Sequence, residues 1–188
     1  TTMWNECKDL QEYIVGLRRD LHQIPELGLH LPETAAYVTT ELDKIGIPYI
    51  CSKKDSGIIA TIKGGKPGKT ICLRADMDAL PIKEETGLPF ASRHEGFMHA
   101  CGHDTHITIL LGTAKVLAAM KDELTVTVRF LFQPAEEEIA NSGATYMKDE
   151  PLVKECERLI ALHIWSKIPV GTASLRYGPV MSLSLIHI

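Results

Sequence analysis

The segment His99-Ala-Cys-Gly-His-Asp-Thr-His106 places three imidazoles, a thiol and a carboxylate within eight residues. Such density suits a transition metal, and Gly102 lets the backbone curve so that Cys101 and His103 reach one ion. A thiolate can also bridge two ions. The pair Glu136-Glu137 follows Pro134. Adjacent side chains of extended backbone point opposite ways, so one carboxylate can hold metal while the other faces a reacting water. That division suits metal-assisted hydrolysis: an ion acidifies water and polarises a carbonyl, and a free carboxylate carries the proton to the leaving amine.

Each feature also has a plainer reading. A cysteine between Ala100 and Gly102 is ordinarily a small buried apolar side chain, although three flanking histidines reverse that expectation. Residues 136–138 equally suit an acidic helix start favoured by the helix dipole. Asp76 and Asp78 are equally turn formers, and His163 alone suits a core histidine. His22, His30 and His94 lie in no comparable cluster and receive no functional role.

Elements must bring these distant residues together. Cys7, Leu10, Ile14, Leu17 and Leu21 recur at helical spacing and predict a packing helix that ends before Pro25. Pro32 suits the first turn of a second helix, whose apolar face holds Ala35, Val38, Leu42 and Ile45, with Gly46 and Pro48 closing it. Strand-type runs at 57–62 and 70–75 are separated by Gly64-Gly65-Lys66-Pro67-Gly68, which predicts a hairpin-like turn. Residues 77–101 show little periodicity and predict a long functional loop. Asp104 is expected to cap a helix carrying Ile107, Leu110, Leu111, Ala114, Leu117 and Ala118. Further strands are predicted at 124–132, 159–164 and 172–176. Alternating strands and helices indicate an α/β architecture, a mostly parallel sheet with room for an antiparallel edge. Asp76 and Asp78, Glu136 and Glu137, and His163 all follow strand runs. In open α/β sheets the binding crevice lies beyond the carboxyl ends of the strands, so these clusters are expected to converge there.

The 188 residues carry 20 Lys+Arg against 24 Asp+Glu, a net charge of −4, with 45% hydrophobic residues. Disorder, collagen and coiled-coil readings are excluded, and no basic block is present to bind nucleic acid or an anionic membrane surface. Apolar runs break off well before the roughly 20 residues of a membrane span. No signal pattern opens the sequence, so a cytoplasmic address is expected. The five widely spaced cysteines include no C-x-x-C pair, which fits a reducing compartment better than a disulfide framework.

Taken together, the motifs Arg18-Arg-Asp-Leu-His-Gln-Ile-Pro-Glu26, Arg74-Ala-Asp-Met-Asp-Ala-Leu-Pro81, Met98-His-Ala-Cys-Gly-His-Asp-Thr-His106, Phe132-Gln-Pro-Ala-Glu-Glu137 and Leu162-His163 with Pro169-Val-Gly171 are specific. They resemble the M20 metallopeptidase family, in its amidohydrolase branch of aminoacylase-like, hippurate and auxin-conjugate hydrolases. The resemblance implies a three-layer αβα zinc-peptidase-like catalytic domain. Cys101, His103, Glu137 and His163 would hold two divalent ions, zinc, manganese or cobalt, and Glu136 would be the general acid/base. Asp76, Asp78 and His106 are implied to support the ligands from behind. The implied reaction is hydrolysis of N-acyl amino acids or related amides by metal-activated water. Small-molecule substrates are expected, without nucleic-acid or membrane partners, and homo-oligomerisation of the full-length protein is left open. Two rivals stand beside this reading: Cys101 as a thiol nucleophile or redox sensor activated by His103, and a non-catalytic metal-binding module.

Relatives in the family are longer. They continue past Ser182 into a lid domain and then the rest of the catalytic domain, with a last ligand histidine. Residues 1–182 are therefore expected to be the N-terminal part of the catalytic domain, inactive alone. The final residues Leu183-Ser-Leu-Ile-His-Ile188 do not follow the family and match one reading frame of the transposon-end adapter used in sequencing libraries. Residues 183–188 are expected to be a non-native tail, and His187 is not expected to be a ligand.

Overall fold

The computed structural model describes residues 7–175 together with Tyr177 and Gly178. The expected tail at 183–188 and Arg176 lie outside the described residues. Helix α1 spans Gln11–His22, with Leu17 and Leu21 buried; residues 7–9 form a separate helical turn before it, interrupted at Leu10. Helix α2 spans Pro32–Ile45, begins with its proline and stops at Gly46, whose φ of 82° favours glycine. The Glu26 carboxylate accepts the first-turn N–H groups of Glu33 and Thr34 at 3.2 and 2.8 Å, satisfying donors that lack intrahelical partners.

The sheet contains β1 (Tyr49–Cys51), β2 (Ile58–Ile62), β3 (Thr70–Asp76), β4 (Thr127–Gln133) and β5 (Arg158–Ala161), in the order β1-β2-β4-β3-β5. β3 pairs in parallel with β4 and β5, whereas β2 pairs antiparallel with β4 and β1. The α/β fold is therefore as expected, but antiparallel pairing extends over two strands rather than one edge. The predicted hairpin between β2 and β3 is absent because β4 inserts between them. Gly64 and Gly68 serve a close backbone approach to the entry of β4. A Cβ on Gly68 would lie 1.5 Å from the Thr125 carbonyl oxygen, and one on Gly64 2.5 Å from that of Leu124.

Alternation along the strands builds two cores. Ile58, Ala60, Ile62, Val128, Phe130 and Phe132 pack with α1, α2 and helix α3 (His103–Ala119) through Leu21, Leu42, Ile107 and Leu111. Ile59, Cys72 and Leu131 point the other way, under short helices α4 (Gly143–Met147) and α5 (Pro151–Lys154). Three layers result, because period-two burial offers an apolar face to each side. β5 ends at Ala161 rather than continuing to 164, and residues 172–175 form no strand. Among the described residues, no helix is long and apolar enough to cross a membrane.

Residues 77–101 form the expected long loop, fastened to the 18–26 segment. Ala79 N–H donates to the Glu26 carbonyl at 2.8 Å and Arg93 N–H to that of Gln23 at 2.9 Å. His94 Nδ1 lies 2.8 Å from the Pro25 carbonyl oxygen. Asp104 does not cap α3: Gly102 occupies that position, and Asp104 sits in the first turn. Its buried carboxylate meets His22 Nδ1 at 2.6 Å and Arg18 Nε at 3.1 Å, and accepts the Thr105 N–H at 2.8 Å. His22 Nε2 reaches Glu84 of the loop at 3.3 Å. His22 thus ties α1, the loop and α3 together, as a structural histidine.

The hydrogen bond to Asp104 raises the His22 pKa above its ordinary value, against the effect of burial. Its contribution to stability is therefore full below the unfolded histidine value and fades as pH rises through the folded one. His22→Ala should destabilise by about 3 kcal/mol near pH 6. The loss should be smaller near pH 9, as read from urea unfolding at both values.

Candidate metal centre

The carboxyl ends of β3, β4 and β5 meet the first turn of α3. Asp76 at the end of β3 pairs with Gln133 at the end of β4, and the Met77 N–H donates to the Gln133 carbonyl at 2.8 Å. β5 ends two residues before His163. The crevice anticipated beyond the strand ends is present, and the candidate donors line it.

After β4 the chain turns sharply. Buried Ala135 has a φ of 49°, the one positive value at a non-glycine among the described residues. That conformation costs about 1–2 kcal/mol. It aims the Glu136 and Glu137 N–H groups at the two oxygens of Asp78, each 2.9 Å away, and bonds to an ionised acceptor offset the cost. The turn also overturns the opposite-pointing arrangement expected for the two glutamates. Glu136 Oε2 and Glu137 Oε1 each lie 3.8 Å from His103 Nε2, because the backbone is not extended here. The two carboxylates differ instead in exposure: Glu136 is 41% exposed and Glu137 25%.

His103 is wholly buried. Its Nδ1 donates to the Asp78 carbonyl oxygen at 2.8 Å, which turns Nε2 toward the acids. Cys101 Sγ lies 3.3 Å from His163 Nε2, and His163 Nδ1 donates to the Ile164 carbonyl oxygen at 2.5 Å. Both imidazoles thus have one nitrogen fixed by backbone and the other turned toward the cluster. Cys101, His103 and His163 bring ligand atoms within 4.8 Å of one another, as do His103, Glu136 and Glu137. The thiol thus meets His163 at hydrogen-bond distance, and His103 belongs to the same group.

Asp76 and His106 stand behind this set. His106 Nδ1 donates to Asp76 Oδ1 at 2.6 Å, and its Nε2 accepts the Ile164 N–H at 3.1 Å. Both ring nitrogens are occupied, although Asp76, His103 and His106 also lie close enough together to form a metal-sized group. Arg74 reaches Asp76 at 2.6 Å and Gln133 at 3.0 Å. Sequence reasoning gave Arg74 no role; its only signal was its place at the head of the 74–81 motif. Burial alone would raise the Asp76 carboxyl, but the His106 hydrogen bond and the charges of His103 and Arg74 hold it well below the usual carboxylate range. Burial disfavours a charged His103, yet its contacts with Asp78 and Cys101 and the field of Asp76 push it up to about 11. Burial and Asp76 raise Glu136. His99 is buried with both ring nitrogens unpartnered among the described residues, and burial pushes it down to about 4.

Two further buried atoms lack a hydrogen-bond partner: His103 Nε2 and Glu137 Oε1, which face each other at 3.8 Å. Buried polar atoms are seldom left bare. With the Cys101 thiol, His163 and the carboxylates gathered around them, these atoms form a donor set that a cation would fit. The donor types, thiolate, imidazole and carboxylate, suit zinc and admit manganese or cobalt.

This arrangement defines an α/β domain of the metallopeptidase fold. The chain belongs to peptidase family M20/M25/M40, whose family pattern matches residues 72–182. It is 45% identical over 173 residues to an N-acetyl-L-cysteine deacetylase of Bacillus subtilis, covering 92% of this chain and 41% of that protein. It is 39% identical to an N-acyl-L-amino acid amidohydrolase of Geobacillus stearothermophilus, covering 90% of this chain and 45% of the relative. The crystal structure of a dinuclear metal-binding M20 peptidase from Bacillus subtilis superposes with a TM-score of 0.84 at 40% identity, covering 92% of this chain and 48% of that one. The chain thus spans less than half the length of these relatives.

Asp78→Asn keeps the side-chain volume but gives one of the two glutamate N–H groups an amide donor to face. It should cost about 1–3 kcal/mol in denaturant unfolding, and an unchanged midpoint would remove Asp78 from the support of the 136–137 turn.

Proposed function

We propose that the full-length protein is a dinuclear metal amidohydrolase that cleaves N-acyl amino acids or related amides to a carboxylate and an amino acid. Cys101, His103, Glu137 and His163 are the ligands in this reading, and Asp76, Asp78 and His106 orient them. The carrying observation is the bare, buried pair His103 Nε2 and Glu137 Oε1 at the meeting point of the other donors. Divalent ions held by these residues would supply acidification of a water and polarisation of the scissile carbonyl.

The chain's own residues divide the remaining work. Glu137 Oε1 is buried, which suits a ligand. Glu136 is the more exposed of the two, at 41%, which suits a proton carrier that must meet water and substrate. Its carboxylate takes a proton from the water and returns it to the departing amine nitrogen. Asp78 holds both glutamates through their backbone, so the proton carrier and the ligand keep a constant relation. The relatives named for N-acetylcysteine and N-acyl amino acids support the substrate class. Turnover belongs to the longer protein, and the 188 residues alone are expected to hydrolyse no amide.

The 3.3 Å approach of Cys101 Sγ to His163 Nε2 favours a second reading, a thiol nucleophile with a histidine partner. Glu136→Gln in the full-length protein separates the two. On our reading kcat on an N-acyl amino acid falls about 10²–10⁴-fold while metal content, measured by elemental analysis, is unchanged. Unchanged turnover would remove Glu136 from the mechanism. Activity that survives exhaustive chelation but ends on thiol alkylation would favour the cysteine enzyme.

A further inference from the structure

On the opposite face of the sheet, away from the metal centre, two thiols share one small core. Cys72 on β3 is fully buried with Ile59, Leu131 and Met147, and partly buried Cys156 packs against the same cluster. Cys156 closes α5, its N–H donating to the Val153 carbonyl at 3.0 Å, and the next residue begins the pairing with β3 through Glu157 N–H to the Thr70 carbonyl at 2.9 Å. In that cluster each thiol acts on the ionisation of the other, and the Cys156 S–H reaches the Leu152 carbonyl oxygen at 3.3 Å. Both are free.

A cation stands beside them. Arg129 on β4 is the direct cross-strand neighbour of Cys72, and its charge acts on both sulfurs. Its Nη1 and Nη2 are bonded to Thr61 and Glu155 at 2.6 and 2.8 Å, but its buried Nε has no hydrogen-bond partner among the described residues. A guanidinium charge acting on two sulfurs favours their thiolate forms. Burial opposes it at both sites and pushes Cys72 up to about 12, so the more accessible Cys156 is the sulfur that reacts first.

We propose that Cys72 and Cys156 form a thiol-disulfide modification site, whose oxidised state is an intramolecular disulfide that fastens the entry of β5 to β3. The oxidant is a low-molecular-weight disulfide. Cys156 loses its proton, and its sulfur attacks the reagent, forming a mixed disulfide and releasing one small thiolate. Cys72 then loses its proton and attacks Cys156 Sγ. The Cys72–Cys156 bond forms, the mixed disulfide breaks, and the second small thiolate leaves. Two protein thiols are oxidised and one reagent disulfide is reduced to two thiols. The effect falls on β5, which among the described residues pairs with β3, and two residues beyond its end stands His163. The proposal does not depend on the hydrolase reading.

The test is incubation of the purified protein with oxidised glutathione, alkylation of remaining thiols in denaturant, and peptide mapping by mass spectrometry. The expected product is a monomer in which the Cys72 and Cys156 peptides are linked and released by dithiothreitol. In Cys72→Ser, Cys156 should keep its glutathione, because the resolving thiol is gone. Hydrogen exchange of the Arg158–Ala161 amides should slow several-fold in the oxidised protein. Three results would overturn the proposal: Cys72 recovered fully alkylated while Cys156 carries glutathione in the unsubstituted protein, links formed only with other cysteines, or unchanged exchange along β5 in the linked form.

Discussion

His103 holds the centre because one of its nitrogens is committed and the other is not. The backbone carbonyl of Asp78 takes the Nδ1 proton at 2.8 Å, which fixes both the ring plane and the tautomer. Nε2 is left inside a wholly buried pocket with Asp76, Glu136 and Glu137 between 3.6 and 3.8 Å away. So much negative charge around one ring nitrogen is sustained only by a positive charge in its midst. The contacts that raise the His103 pKa express that need. A divalent cation meets it and also satisfies the thiol, the second imidazole and the bare glutamate oxygen.

Much of the fold serves that one arrangement. Asp78 contributes three acceptors to the centre: its carbonyl to His103 and its two carboxylate oxygens to the N–H groups of Glu136 and Glu137. It can do so because β3 and β4 run parallel and end in register at Asp76 and Gln133. The long loop that follows Asp78 returns to Cys101 only after it has been pinned along the 18–26 segment, and His22 with Asp104 sets the first turn of α3 against the same anchor. An irregular stretch of this length keeps two clusters of donors in place because its backbone N–H groups are bonded to Gln23 and Glu26 of the segment that follows α1.

What could be read from the residues and what could not divide along physical lines. The 99–106 segment and the placement of acids after strand runs were legible, because ligand types at short spacing and strand ends both leave local signals. The convergence of these clusters followed from the general behaviour of α/β sheets. The direction of Glu136 and Glu137 was not legible: it depends on Ala135 adopting a positive φ, a conformation that alanine rarely takes and that no local pattern announces. The insertion of β4 between β2 and β3 was hidden for a different reason. Gly64 and Gly68 signal a tight turn whether they close a hairpin or admit the passing backbone of residues 124–125, and only the long-range pairing tells the two apart. His22 shows a third kind of limit, since a histidine isolated in sequence becomes the partner of Asp104 across 82 positions.

The account stands on the ligand set around His103, and X-ray absorption at the zinc edge of the zinc-loaded full-length protein, paired with an anomalous map of its crystals, reads that set directly. It predicts a sulfur at about 2.3 Å and nitrogen or oxygen neighbours at about 2.0–2.2 Å, with density touching Cys101 Sγ, His103 Nε2, Glu137 and His163 Nε2. An ion bound away from His103, or a coordination shell without sulfur, would contradict it.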